Sequence, residues 1–331
     1  MRLHSFPTRR SSDLQAGSSG VTPELADILL SPWLLGLMGL CIGSFLNVVI
    51  HRMPQMLERG WKLDSAEMLG VKVDNLPAEI TLSKPRSRCP KCSHPIAWHE
   101  NVPVLSYVLL QGKCRSCKSH ISARYPAVEL LTALLFVAVA WHDGLTAALP
   151  FDLVFAGALL ALVFIDAEHM ILPNAITYPG IVFAVIARGA MPYLTGTPHF
   201  DDMGSLMNGT LASFPIWSIS LVGAFLGALI GGGSLWLMGW TWEKLRGVEA
   251  MGLGDVKMMF MVGAYLGWRL TILTIFLGVL SGSIIGILLM MRQGKRNMQM
   301  LLPFGVFLGI GAIVALLVGS HIVEWYAGQY R

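Results

Sequence analysis

Long apolar runs, parted by short polar ones, set the pattern of the chain. Apolar residues fill segments at about 31–51, 125–141, 147–166, 172–190, 215–240, 252–268, 269–291 and 300–321. A helix needs about 20 mostly apolar residues to cross the hydrocarbon of a bilayer. The pattern therefore predicts an all-α fold, a polytopic membrane helix bundle of about eight transmembrane helices. Two segments depart from a clean span. The one at 172–190 opens on Pro173 and Asn174 and is interrupted by Pro179 and Gly180; the one at 252–268 carries Asp255 and Lys257. Ionisable residues inside a span are costly and tend to be functional.

Composition agrees with this pattern: 54% of the residues are hydrophobic and 13% charged, too few polar groups to cover a water-soluble surface. Residues 1–14, MRLHSFPTRRSSDL, lack the apolar core of a secretory signal and read as a cloning or sequencing scar. Charge sets the orientation. Arg52–Arg124 holds twelve Lys/Arg against six Asp/Glu. The loop at 241–251 carries Lys244 and Arg246, and that at 292–299 carries Arg292, Lys295 and Arg296. Eight spans put all three on one side, and Lys/Arg-rich loops stay cytoplasmic. The expected organisation is a periplasmic N-terminus and first span to residue 51, a cytoplasmic domain over 52–124, and a membrane domain over 125–331. Membrane lipid is an expected partner; nucleic acid is not.

Four cysteines form CPKC and CRSC: Cys89, Cys92, Cys114 and Cys117. Two C-x2-C knuckles complete a tetrahedral thiolate shell, the pattern of a structural zinc site. A reducing cytosol favours metal over disulfides; a redox pair is the competing reading. His94, His99 and His120 lie nearby and read as surface or packing histidines. Cys41, within the first span, reads as a small buried hydrophobe.

Asp166, in FIDAEHMILPN, ends the third span, and Asp255, in GLGDVK, starts the sixth. With eight spans both lie at the cytoplasmic membrane face. Two carboxylates held close together share a proton, so one can act as base on water while the other serves the carbonyl under attack. Gly252 and Gly254 leave room for an extended peptide. Each acid alone could instead be a helix-end residue snorkelling to the interface. A proton-coupled transporter also uses paired acids in broken helices. Facing acids near the cytoplasm, rather than in a midplane cavity, would discriminate. Lys257 lies some 200° around the helix from Asp255 and is not expected to pair with it. Glu129 is read as pairing with Arg124 or lining the substrate path, and Asn47 as bonding a neighbouring helix.

These residues together resemble the type IV prepilin peptidases. The matching stretches are GSFLNVVIHRMP (43–54), the cysteine segment 89–133, FIDAEHMILPN (164–174), GLGDVK (252–257) and PFGVFL (303–308). The resemblance implies that Asp166 and Asp255 are the catalytic aspartates and that the four cysteines bind zinc. It further implies cleavage after the glycine of a short basic leader on type IV prepilins and type II secretion pseudopilins. Methylation of the new N-terminus with S-adenosylmethionine would follow, with Gly112 and Lys113 of QGKC as candidate residues; a leader peptidase without methyltransferase activity is the alternative. It places the enzyme in the bacterial inner membrane. Two departures stand out: a longer outside loop, Met191–Pro215, and Val306 where proline is expected.

Overall fold

The computed structural model describes residues 27–71, 79–196, 214–247, 251–293 and 302–329. Residues 1–14, most of the 191–215 loop, and Lys295 and Arg296 fall outside these. Seven helices are long and apolar enough to cross a membrane: α1 (Pro32–Leu69), α3 (Arg124–Asp143), α4 (Leu149–His169), α5 (Asn174–Thr195), α6 (Ile216–Arg246), α7 (Leu253–Arg292) and α8 (Phe304–Gly328). A short helix, α2 (Leu105–Leu109), lies between α1 and α3.

Among the described residues, α7 doubles back at Gly267, so its two arms bring the apolar segments to eight. Its φ of 78° and ψ of 176° are non-helical and open chiefly to glycine. The packing against α6 shows the reversal. A methyl group placed on Gly227 would meet Gly263 and Gly267; one placed a turn later on Gly231 would meet the Met259 carbonyl and lie 3.0 Å from Thr271 Cγ2. Met259 and Thr271 would sit about 18 Å apart on a straight helix. The two arms therefore run antiparallel, and the expected break between 252–268 and 269–291 is real. The first arm, at 1.5 Å per residue, is only about 21 Å long, shorter than the hydrocarbon. The glycines of α6 serve close packing here, and a π-turn at Leu229–Gly233 carries three of them.

Helix α1 departs from expectation. It does not stop near residue 51 but runs through Pro54 to Leu69, where Gly70 caps it in the left-handed region. At 1.5 Å per residue its 38 residues span about 57 Å, so its last turns project beyond the bilayer. The extension is polar, and an apolar-run criterion cannot see it. Arg52 donates to the carbonyls of Thr81 (2.8 Å) and Pro85 (2.7 Å), tying the following loop to the helix.

Helix α4 is central and the most buried of the spans. Leu159, Leu162 and Ile165 are fully buried, as are Met258, Met259 and Val262 of α7 and Leu308 and Ala312 of α8. The α7 methionines thus pack between helices rather than against lipid. At the far end of the bundle, buried Asp152 accepts a hydrogen bond from the Tyr265 hydroxyl (2.8 Å), and Arg188 is buried within electrostatic reach. This polar knot beside the α7 reversal escaped the sequence reading. Cys41 is exposed on the outside of the bundle, not buried as expected: α1 lends only one face to its neighbours.

Candidate active site

Three helix ends meet at one membrane face. Helix α4 ends just past Asp166, whose carbonyl accepts the Met170 N–H (2.9 Å) with Met170 in the left-handed conformation. Extended Pro173 then starts α5. Asp255 occupies the first turn of α7. Pro173 and Pro303, each preceding a helix, fix φ and lack the N–H that a first turn leaves unused.

Helix α8 brings the acids together. Its first turn has unpaired N–H groups, and such an end binds anions. Val306 N–H donates to Asp166 Oδ2 at 3.0 Å. Val306 is used through its backbone, so the missing proline leaves a donor. A side chain on Gly305 would start 2.8 Å from Asp166 Oδ2 and 2.9 Å from Asp255 Oδ1. Those two oxygens are therefore less than about 6 Å apart. A water bonding both at about 2.7–2.8 Å can span roughly that gap. The acids lie at helix ends, level with Arg124 and the exposed turn Glu168–Met170, rather than in a midplane cavity.

The acids open into a cleft of roughly 310 Å³. Its walls include Leu57 and Trp61 from the projecting part of α1, the 170–174 turn, Gly252, Gly254 and Lys257. The two glycines differ. A methyl on Gly252 would meet nothing within 4 Å, whereas one on Gly254 would lie 3.0 Å from Leu172 Cβ. Gly252 thus leaves the cleft open, and Gly254 lets α7 approach the turn. Lys257 reaches across to Asn174 Oδ1 (3.0 Å), with its ammonium 5.1 Å from the Tyr178 ring centre. Arg124 pairs with Glu168 instead of Glu129. Glu129 Oε2 accepts the Val104 N–H at 2.7 Å, and Asn47 donates to the Tyr125 carbonyl at 2.9 Å. Gly305 and Trp61 were missed as site residues; for Gly305 the signal was its glycine in the matched PFGVFL stretch.

The four cysteines converge. Their sulfurs lie within 4.8 Å of one another, with Cys89–Cys117 at 3.8 Å and Cys92–Cys114 at 3.9 Å. A zinc tetrahedron with Zn–S of about 2.3 Å has edges of about 3.8 Å, so the residues fit such a metal. The two knuckles share one backbone pattern. Cys89 N–H bonds the His94 carbonyl and Cys114 N–H the Ser119 carbonyl; Ser93 and Lys118 N–H return to the two cysteine carbonyls. Backbone N–H groups of Cys92 and Lys91 pull the Cys89 thiol down to about 6, whereas the His94 N–H, which lowers Cys92, is outweighed by burial and the neighbouring thiols, which push it up to about 11. His94 Nε2 lies 3.4 Å from Glu100 Oε2 and His99 bonds Arg115 (3.0 Å), so both pack against side chains of the loop. Gly112, with φ +66°, lies under Tyr107, where a methyl would come 2.9 Å from the hydroxyl. Lys113 is half-buried and pairs with His120 across the second knuckle.

Known proteins agree with this architecture. A profile of the bacterial Peptidase A24 N-terminal domain matches residues 37–143, and one of the type IV leader peptidase family matches 153–287. A prepilin leader peptidase/N-methyltransferase of Pseudomonas aeruginosa is 41% identical, over 88% of this chain and 91% of its own. One of Aeromonas hydrophila is 40% identical, over 90% and 96%, and one of Stutzerimonas stutzeri is 37% identical, over 87% and 91%. No solved structure matches significantly. With both halves matched in order and the acids meeting where two of its helices start and a third ends, the chain belongs to the type IV leader peptidase family.

Proposed function

We propose that the protein cleaves the leader of type IV prepilins and type II secretion pseudopilins after its glycine, using Asp166 and Asp255, and then N-methylates the new N-terminus. The observation that carries this reading is the approach of both carboxylates to Gly305. One carboxylate takes a proton from water, and the water oxygen attacks the scissile carbonyl carbon. The other, protonated, gives its proton to the carbonyl oxygen. When the C–N bond breaks, the amine leaves with a proton returned by the pair, and no acyl-enzyme forms. Asp166 is held by the Val306 N–H; Gly252 leaves a side of the cleft open to an extended peptide.

The four thiolates would hold zinc with no open position, so the metal stabilises the loop and takes no part in hydrolysis. S-adenosylmethionine supplies the methyl group; this part of the reading rests on the relatives' names and the QGKC resemblance. Gly112, closed over by Tyr107, would shape that region, and Lys113 is the one of the pair able to meet a donor. Basic Arg124, Lys244 and Arg246 at the dyad's end of their helices, with Arg52 where the apolar run of α1 ends, support an inner-membrane protein with its acids at the cytoplasmic face.

The test uses full-length protein in proteoliposomes with a prepilin. Asp166→Asn and Asp255→Asn should each leave the leader uncut while insertion and melting are unchanged. Appreciable cleavage by either variant rejects the dyad. Labelled methyl donor should mark the processed pilin; cleavage without label reduces the protein to a leader peptidase alone.

A further inference from the structure

The loop that carries the knuckles does not stand clear of the membrane. Val104 N–H bonds Glu129 Oε2 at 2.7 Å. Glu129 lies five residues inside α3 from Arg124, about 7.5 Å along the axis, and packs against α1 at Gly43. Val104 is therefore tied to α3 within about a turn and a half of Arg124.

The bond is made at a conformational cost. Val104 has φ 58° and ψ −47°, a region rare and strained for a β-branched residue. A buried carboxylate holding a strained amide marks a position fixed for a purpose. The short helix α2 starts at the next residue. Its Ser106 turns inward, bonded to the Val102 N–H and the His99 carbonyl. Its apolar side chains turn outward: Leu105 is 55% exposed, Val108 63% and Leu109 71%. On α3, just beyond Glu129, Leu130, Leu131 and Leu134 are exposed as well. Lys113 follows four residues after Leu109, near enough to meet a phosphate headgroup; Arg115 is held by Glu100 and His99 instead.

We propose that Leu105, Val108 and Leu109 insert into the lipid interface, an amphipathic foot that seats the cysteine knuckles on the bilayer beside the dyad. Such interfacial seating buries an apolar face about 5–10 Å deep and draws on basic residues beside it. The proposal does not depend on the catalytic assignment.

Full-length protein carrying photoreactive benzoylphenylalanine at position 109, in phospholipid vesicles containing anionic lipid, tests it. Irradiation should give lipid adducts several-fold above those from the same group at Ser116, on the exposed knuckle. Glu129→Ala in the position-109 background should lower the adduct toward the Ser116 level, with Glu129→Gln losing less. Lipid labelling at 109 no greater than at 116, or adducts mainly to a second copy or to added prepilin, overturns the proposal.

Discussion

The dyad and the cysteine knuckles each gather acidic side chains around one point, yet they are assembled differently. The knuckles are local. Each is a turn of six residues closed by its own backbone hydrogen bonds, and each repeats the other's pattern. The dyad is remote. Its acids lie 89 positions apart in the chain and meet only because α4 ends, and α7 and α8 begin, at one level. The knuckles should therefore fail locally and the dyad globally.

The largest effect should come from filling the space between the acids. Gly305→Ala puts a methyl group under 3 Å from both carboxylates. Cleavage of a prepilin should fall about 10²–10⁴-fold, the range lost with acid–base catalysis, while the melting curve barely moves. Near-normal turnover by this variant would show that the pair works from another geometry. Next comes the metal. Chelating zinc, or Cys89→Ser, should strip hydrogen-exchange protection from 86–121 and leave 255–266 protected. Loss of protection in both regions would mean the two are one unit and undo the contrast.

A third test probes the cleft wall. Lys257→Met removes the Asn174 bond and the Tyr178 contact. A hydrogen bond to a charged group contributes about 1.5–3 kcal/mol, so kcat/KM should fall by about tenfold or somewhat more, with Lys257→Arg recovering part. An unchanged kcat/KM would assign Lys257 to the surface. The smallest effect concerns Glu100, whose carboxyl is held below the usual range by the Ala97 N–H, with His94 and Arg115 adding. A depressed acid stabilises above its unfolded pKa, about 4.3, and loses that contribution as pH falls through the lower folded value. Glu100→Gln should thus lower loop stability slightly at pH 7, and the difference should vanish once pH has fallen through the depressed folded value. A difference that grew on acidification would contradict this origin.

Much of this was legible residue by residue. The knuckles were, because C-x2-C spacing alone aims two thiolates at one point. Asp166 and Asp255 were, because an acid beside an apolar run demands explanation. Lys257 was read correctly as facing away from Asp255, but its partners Asn174 and Tyr178 belong to another helix and leave no mark near it. Glu129 was assigned a choice of roles that excluded the Val104 amide, since a backbone donor is invisible in a side-chain reading. Helix α1 was cut at 51 because hydropathy reports lipid, while its helix continues in water.

Sequence alone determined the lipid-spanning class, the eight apolar segments and which cysteines and acids come together. Most of this follows from local solvation or short-range geometry. Tertiary structure alone decided that Gly305 lies between the acids, that α8 donates to Asp166, and that Trp61 lines the cleft. Those facts depend on how separate helices stack in height, and packing fixes height only once the whole bundle has formed.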